Sequence, residues 1–499
     1  MSKPFASFEV WFLTGSQHLY GPETLQQVQS HSDEIVRYLN DQGNLPATLI
    51  CKNVLTTPDE ITRIIKEANY QDQCLGVICW MHTFSPSKMW IAGLQSLQKP
   101  LLHLHTQYNQ SLPFDTIDMD FMNLNQAAHG DREFGYISTR LKVKRKVIVG
   151  FWKNRDILFD ISRWMRVARG IAESKSIKVA RFGDNMRQVA VTEGNKVSAQ
   201  IQFGWQVNGY GVGDLVAQIH RVSKGTIDAL INEYEESYQL VDSLTSTGAH
   251  RSSLIEAVRI ESGMRSFLEQ GDFNAYTDTF EDLHGIAQLP GIATQRLMAD
   301  GYGFGAEGDW KTSALVRVMK SMATGLKGGN SFMEDYTYHL DDHDQIVLGS
   351  HMLEICPSIT NEKPRCEIHP LGIGGKSDPV RLVFDGAVGD AINVSIIDLG
   401  HRYRMIVNNV KGIDPSAYKM PKLPVARVLW KCQPNLPIAA HAWILAGGAH
   451  HTCYSQNLTA QDMEDLADVW GIECIVINDK TTDLSEFKHK LRVNETVFN

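Results

Sequence analysis

The chain has 499 residues, of which 43% are hydrophobic, and it carries a formal net charge of −9. At roughly 150 residues per domain, this length predicts several domains, each large enough to bury a core. The negative charge argues against a typical nucleic-acid-binding protein, because such proteins need a concentrated basic face. The sequence has no long apolar run and no apolar leader, so we do not expect a membrane protein.

The first third of the sequence alternates between short apolar strands and helices. The predicted strands are Phe8–Leu13, Ala47–Cys51, Leu75–Trp80 and Leu101–His105, with helices beginning near Pro22, Thr57 and Ser85 between them. This alternation predicts a parallel sheet covered on both faces. Ligands of such sheets bind beyond the carboxyl ends of the strands, where Gln17, His18 and Tyr20 follow the first strand.

Two further segments precede the C-terminal part of the chain. The stretch Met119–Gly130 is amide-rich but too apolar for a disordered linker, and we expect a packed helix or an element between subunits. A new strand at Ser176–Gly183 predicts a second α/β unit that continues to about residue 325. Its helices include Ser252–Leu268 and a segment after Asp309.

The composition changes beyond about residue 340, where valine- and isoleucine-rich runs lie between glycine, aspartate and proline. The strand-like runs are Ile346–Leu348, Arg381–Phe384, Ala391–Leu399, Tyr403–Asn408, Val425–Trp430 and Ala442–Leu445. This density of short strands predicts an antiparallel barrel or sandwich. The chain is therefore predicted to be an α/β protein with an N-terminal α/β domain (1–175), a central α/β domain (176–325) and a C-terminal β-rich domain (326–499).

Four side chains in the second half of the chain have the chemistry of metal ligands. They are Glu307, Glu334, His351 and one member of the pair His450–His451. Two carboxylates and two imidazoles form the mixed set expected for a divalent transition metal such as Mn²⁺ or Co²⁺. The pattern indicates metal-assisted chemistry on a hydroxylated substrate.

Each candidate ligand also has an ordinary structural interpretation, such as a carboxylate near a helix start or a hydrogen-bonded core histidine. The glycines around Glu307 favour a close backbone approach instead. Asp335 is as suitable a ligand as its neighbour Glu334. Adjacent residues of an extended segment point in opposite directions, so the spacing leaves the choice between His450 and His451 open.

Long sequence motifs resemble the L-arabinose isomerase family from one end of the chain to the other. The motifs begin at Trp11 (WFLTGSQHLYGPE), Trp80 (WMHTFSP), Asp118 (DMDFMNLNQ), Arg181 (RFGDNMR), Gly308 (GDWKT), Phe332 (FMEDYTYH) and Leu445 (LAGGAHHT). Runs of this length are highly specific. The resemblance implies a metal-dependent aldose–ketose isomerase that converts L-arabinose to L-ribulose and, more weakly, D-galactose to D-tagatose.

The resemblance also implies a fold, a cofactor and a set of site residues. The implied fold has Rossmann- or flavodoxin-like N-terminal and central domains and a C-terminal antiparallel β-barrel-type domain, in a homohexamer with one Mn²⁺ per subunit that Co²⁺ can replace. The implied metal ligands are Glu307, Glu334, His351 and His451, and the implied catalytic residues are Glu307 and Glu334. The implied substrate contacts are Gln17, Leu19, Tyr20, Met186, Phe280 and His129, the last supplied by a neighbouring subunit.

The implied chemistry moves a carbonyl from C1 to C2 of the sugar through an ene-diol. Glu307 and Glu334 are expected to move the proton between the two carbons, although a metal-assisted hydride shift is an alternative. A carboxylate in this role must lie within about 3 Å of the reacting proton.

Three other functions are weighed against this one. A non-catalytic sugar-binding protein predicts the loss of a metal ligand, and none is lost. A nicotinamide-dependent dehydrogenase predicts a glycine fingerprint after the first strand, where the chain instead reads Thr14-Gly-Ser-Gln-His-Leu-Tyr-Gly. L-fucose isomerase is the nearest rival within the isomerases.

The eight cysteines are scattered without a Cys-x-x-Cys pair, so we expect reduced thiols in a cytoplasmic protein.

Overall fold

The structure is a computed structural model that describes residues 3–498. The chain divides into two compact units, the first ending at Ala172 and the second beginning at Glu173. Among the described residues, every helix is either too short or too polar to span a bilayer.

The first unit is built on a parallel sheet. Its strands are β1 (Glu9–Gly15), β2 (Thr48–Cys51), β3 (Cys74–Met81), β4 (Leu101–His105) and β5 (Lys146–Val149). Its helices are α1 (Gly21–Gln42), α2 (Pro58–Tyr70), α3 (Ile91–Ser96), α4 (Met119–Leu124), α5 (Ala127–Arg140) and α6 (Arg155–Ser174). The strand order is β2-β1-β3-β4-β5, and every pairing is parallel.

The alternation of strands and helices predicted for this unit is confirmed. β3 is buried along its whole length, as expected for a central strand of a parallel sheet with packed faces. Helix α2 begins as the sequence predicts, because Thr57 and Glu60 form a reciprocal capping box. The amide-rich stretch after Asp118 is helical, in α4 and α5.

The second unit begins with a smaller parallel sheet. Its elements are β6 (Lys178–Phe182), α7 (Lys196–Phe203), β7 (Gln206–Tyr210), α8 (Val212–His220), α9 (Lys224–Ser237), β8 (Gln239–Leu240), α10 (Arg251–Gln270), β9 (Ala275–Asp278), α11 (Gly291–Ala299), β10 (Gly303–Gly305) and α12 (Trp310–Ala323). The sheet order is β10-β9-β6-β7, and all pairings are parallel.

The rest of the second unit is dominated by one large sheet. Its elements are β11 (Asn330–Asp341), β12 (Asp344–Ser350), β13 (Arg365–Ile368), β14 (Val380–Val383), β15 (Gly389–Asp398), β16 (Tyr403–Gly412), β17 (Arg427–Cys432), α13 (Leu436–Leu445), β18 (His451–Ser455), α14 (Ala460–Trp470), β19 (Glu473–Ile477) and α15 (Leu484–Val497). β13 and β14 form a separate small sheet with β8.

The large sheet has the order β15-β18-β11-β12-β17-β16-β19, and β15 also pairs with β16. Six strands therefore pair in a closed circuit, with β19 added beside β16. The β16–β19 pairing is parallel and the others are antiparallel, so this sheet is mixed rather than purely antiparallel.

The prediction of a strand at Ala442–Leu445 is wrong, because these residues end helix α13. A short apolar run has no periodicity that distinguishes a strand from a buried helix. The decisive signals lie upstream: Asn435 accepts a hydrogen bond from the Ile438 N–H as the N-cap, and Pro437 occupies the first turn.

Candidate metal centre

Four separate segments of the second unit bring the predicted ligands together. Glu334 lies in β11 and His451 is directly opposite it at the start of β18. On its other side Glu334 pairs with Ser350, the residue before His351. The Nε2 atom of His351 is 3.9 Å from Glu334 Oε2, and Nε2 of His451 is 3.9 Å from Glu307 Oε2.

Glu307 is held in the loop between β10 and α12 by an unusual backbone. Its φ of 59° lies in the left-handed region, which is uncommon for a residue with a side chain. The Met186 N–H donates to its carbonyl oxygen at 3.0 Å. Gly308 has φ 79°, and a Cβ there would lie 2.5 Å from Cα of Asn185. The glycines beside Glu307 therefore allow the close backbone approach that the sequence predicts.

Each buried histidine is oriented by a carboxylate behind it. Nδ1 of His451 is 3.2 Å from Asp309 Oδ2, and Nδ1 of His351 is 2.5 Å from Glu354 Oε2. The opposite ring nitrogen, Nε2, of each histidine faces the glutamates. Such carboxylate–histidine pairs fix the tautomer and orientation of metal-binding imidazoles.

The two adjacent histidines differ in their surroundings. The His451 side chain is fully buried, and its Nε2 atom has no hydrogen-bond partner among residues 3–498. The His450 side chain is 34% exposed, and its Nε2 atom is 3.4 Å from Glu307 Oε2. Glu307, His450 and His451 each offer a ligand atom within 4.8 Å of the others. A buried nitrogen without a partner is costly, so the His451 ring is suited to receive a cation.

Burial and the neighbouring charges shift the pKa of several groups in the cluster. Burial raises the pKa of Glu334. Burial also acts to raise the pKa of Glu307, but its hydrogen bond with His450 and the nearby imidazoles produce a net lowering. Burial lowers the pKa of His451. For His351 burial has the same tendency, but Glu354 outweighs it and raises the pKa to about 8.

The ligand cluster opens into a cavity of about 180 Å³. Glu307, Glu334 and His351 contribute to its wall. The other lining residues include Asp278, Phe280, Leu283, Tyr336, Met352 and Ile373. A wall that combines charged and apolar groups is typical of a site for a small polar ligand.

Sequence reasoning did not assign a role at the centre to Asp309 or Glu354. The sequence places Asp309 directly before a predicted helix, and its side chain does accept a hydrogen bond from the Thr312 N–H. Its second oxygen contacts His451, which lies 142 positions away in the sequence. Glu354 had a local signal, because it follows His351 by three residues in the sequence.

Two predicted substrate contacts lie in the second unit. Phe280 lines the cavity, and Met186 contacts the backbone of Glu307. The remaining four, Gln17, Leu19, Tyr20 and His129, belong to the first unit.

Within the first unit, Gln126 connects two of these four residues. The Tyr20 hydroxyl donates to Gln126 Oε1 at 3.1 Å, and the His129 N–H donates to the Gln126 carbonyl at 3.0 Å. Leu19 is 83% exposed.

Comparisons with known proteins agree along nearly the whole chain. Profiles of the L-arabinose isomerase N-terminal, central and C-terminal domains match residues 4–176, 178–325 and 329–473. An L-arabinose isomerase of Geobacillus stearothermophilus is 60% identical over 488 residues, 98% of each chain. The chain belongs to the L-arabinose isomerase family.

Other members of the L-arabinose isomerase family show the same degree of similarity. One from Flavobacterium johnsoniae is 59% identical over 490 residues, which cover 98% of this chain and 97% of the relative. One from Pectobacterium carotovorum is 57% identical over 495 residues, 99% of this chain and 98% of the relative. The chain is therefore an isomerase, as the sequence motifs predict.

Proposed function

We propose that the chain converts L-arabinose to L-ribulose in L-arabinose catabolism, with weaker conversion of D-galactose to D-tagatose. The observation that carries this proposal is the cluster of Glu307, Glu334, His351 and His451, of which the first three line a cavity of about 180 Å³. Relatives that are 57% to 60% identical are named L-arabinose isomerase, and this name indicates the substrate.

The donor set fits one divalent transition metal per subunit. Two carboxylates and two oriented imidazoles are suited to Mn²⁺, with Co²⁺ or another divalent metal able to replace it. The unpartnered Nε2 atom of His451 supports the choice of His451 over His450 as the fourth ligand. When bound, the cation supplies positive charge that stabilises the oxygen anions developing on the sugar.

Glu307 and Glu334 transfer the proton. One carboxylate takes the C2 proton of the aldose, and the electron pair left behind forms the C1–C2 double bond of an ene-diol while O1 gains a proton. The hydroxyl at C2 then loses its proton, the carbonyl forms there, and a proton is returned to C1. The raised pKa of Glu334 brings this carboxyl closer to the working pH of a general acid–base catalyst.

The remaining residues of the proposed site hold the sugar. Phe280 and Met186 bind it beside the ligand cluster, and Gln17, Leu19, Tyr20 and His129 are the further sugar contacts that the family resemblance implies. His129 reaches the site from a neighbouring subunit, in a homohexamer that is located in the cytoplasm.

The fold details are part of the same proposal. The strand order β2-β1-β3-β4-β5 supports a flavodoxin-like N-terminal domain. The parallel sheet of β6, β7, β9 and β10 supports a related central domain, and the closed circuit of six strands supports a C-terminal β-barrel. The profile matches support domains spanning 1–175, 176–325 and 326–499.

The decisive experiment measures L-ribulose formation from L-arabinose by chelator-treated protein before and after addition of Mn²⁺. We expect activity to disappear with the metal and to return with it. The restored protein is then given L-arabinose that carries deuterium at C2. Transfer of the deuterium to C1 with partial exchange into water supports the ene-diol, whereas transfer without exchange supports a hydride shift. Turnover of L-fucose but not L-arabinose would contradict the substrate, and no turnover of any aldose would contradict isomerase activity.

A further inference from the structure

The turn before β18 delivers both histidines to the metal centre. It begins at Ala446, where the Ala446 N–H donates to Ala442 and closes α13. Gly447 then has φ 79°, and a Cβ at Gly448 would lie 2.3 Å from Nε1 of Trp443. The turn Ala446–His450 is therefore tightly built, and its far end leads directly into His451.

A buried arginine from another strand holds the start of this turn. Nη1 of Arg404 in β16 donates to the Ala446 carbonyl oxygen at 2.7 Å. Nε of the same guanidinium donates to Glu473 Oε2 in the adjacent strand β19 at 2.8 Å. Arg404 and Glu473 are both buried, and the other oxygen of Glu473 accepts from Asn494 at 3.0 Å.

The far side of the turn has its own anchor. The Trp443 indole N–H donates to the Ala449 carbonyl oxygen at 2.9 Å. Two side chains therefore fix the turn at its first and fourth residues, just before His450 and His451. Strand pairing with β11 holds His451 from the other direction.

We propose that Arg404, oriented by Glu473, is a positioning residue that fixes the turn Ala446–His450 and so aims His451 at the metal. The planar guanidinium can bind a carboxylate and a carbonyl at a fixed angle through different nitrogens, whereas a lysine ammonium is a single point charge. The proposal rests on the metal-dependent function proposed above. It assigns a role at the centre to a residue that contacts no ligand side chain.

Arg402 provides a matched control two positions earlier in the chain. It is also buried, and its Nε atom lies 3.3 Å from the same Glu473 oxygen. Its Nη1 atom, however, contacts His401 and Glu495 instead of the turn. Replacing either arginine weakens a buried ion pair, but only the Arg404 replacement removes the hydrogen bond to Ala446.

The test compares full-length wild type, Arg404→Lys and Arg402→Lys after metal removal, with Mn²⁺ binding measured by isothermal titration calorimetry. We expect both variants to unfold at a lower temperature than wild type. We expect about 10-fold weaker Mn²⁺ binding for Arg404→Lys only, the scale typical of residues that support metal ligands. Trp443→Phe removes the second anchor, and we expect it to weaken binding in the same way.

Two results would overturn this inference. One is Mn²⁺ binding by Arg404→Lys equal to that of wild type, and the other is an equal loss in Arg402→Lys, which would attribute the effect to the ion pair alone. If Arg404→Lys does not fold, Trp443→Phe decides the question, and unchanged binding there contradicts a role for the turn. Failure of the wild type to bind Mn²⁺ would instead contradict the proposed metal site itself.

Discussion

His450 and His451 occupy adjacent positions. Of the two, His451 alone has a buried nitrogen that faces the glutamates and lacks a hydrogen-bond partner within the described range 3–498. We predict that His451→Ala reduces Mn²⁺ affinity at least about 100-fold, because it removes a proposed direct ligand. His450→Ala should reduce affinity less than 10-fold, since this imidazole is partly exposed and hydrogen-bonds to Glu307. Calorimetric titration of Mn²⁺ into each metal-free variant measures both affinities. The two expected losses lie on either side of the range of about 10- to 100-fold that is typical of residues supporting a metal ligand.

Circular dichroism of both variants serves as the control, because a general loss of structure would weaken metal binding in either case. A larger loss for His450→Ala than for His451→Ala would reverse the assignment of the fourth ligand.

A second residue-scale prediction concerns stability and pH in the first unit. Asp131 is buried and accepts from two imidazoles, with Oδ2 2.7 Å from Nδ1 of His105 and Oδ1 2.9 Å from Nε2 of His103. The hydrogen bond to Asp131 raises the pKa of His105. The folded state therefore favours protonated His105. This stabilisation is complete below the pKa of His105 in the unfolded chain, about 6.5, and is lost as the pH rises through its higher pKa in the folded protein.

The measurement compares the unfolding temperatures of wild type and His105→Gln from about pH 6 to about pH 9. We expect the advantage of wild type to shrink as the pH rises. An advantage that stays constant or grows over this range would contradict the assignment.

Sequence reasoning at this scale identified ligand chemistry but not the partners that orient it. Glu307, Glu334 and His351 carry recognisable ligand groups in distinctive local sequences, and the structure brings them together in the wall of one cavity. The contact between Asp309 and His451 depends on the folding of two remote segments onto each other. Which of the two neighbouring histidines faces the glutamates likewise depends on the orientation of the first residue of β18.

Strand β12 ends directly before the proposed ligand His351 and depends on the absence of a side chain at one of its positions. Gly349 precedes Ser350 and His351, and a Cβ on Gly349 would lie 1.6 Å from Cζ3 of Trp430 in β17. We predict that Gly349→Ala destabilises the fold by about 3 kcal/mol, because the strands must separate or the indole must move. Urea unfolding measures the loss.

The matched control is Gly372→Ala, where an added Cβ meets nothing within 4 Å. We expect little change in its unfolding midpoint. If Gly349→Ala were as stable as this control, the close packing of Trp430 on β12 would be incorrect.

Elements with a clear repeat or a capping motif could be predicted closely, whereas uniformly apolar runs could not. Helix α2 begins at Pro58, next to the predicted start at Thr57, and Thr57 and Glu60 form a capping box there. Helix α13 was mistaken for a strand in its last turn, because its apolar residues continue around the helix. Pairing order in the large sheet depends on contacts between distant segments and had no local signal.

Across the whole molecule, metal binding should be linked to folding stability. The proposed ligands come from four separate segments of the second unit, so the unfolded chain cannot hold them together. We predict that Mn²⁺ at about 100 times its Kd stabilises the metal-free protein by about 2.7 kcal/mol. Thermal unfolding with and without Mn²⁺ measures this effect.

His451→Ala is the control for non-specific ion effects, and its unfolding temperature should respond little to Mn²⁺. An equal shift in wild type and this variant would indicate that the cation acts elsewhere on the protein.

The position of β18 in the large sheet has a consequence for the order of events during protein synthesis. β18 carries His451 and inserts between β11 and β15, although the ribosome makes it after both. His451 follows His351 by 100 residues, which takes about 5 to 20 seconds at typical rates of translation. With the proposed ligand set, a nascent chain would expose three of the four ligands well before His451. Complete binding of the cation would then wait until nearly the whole polypeptide has been synthesised.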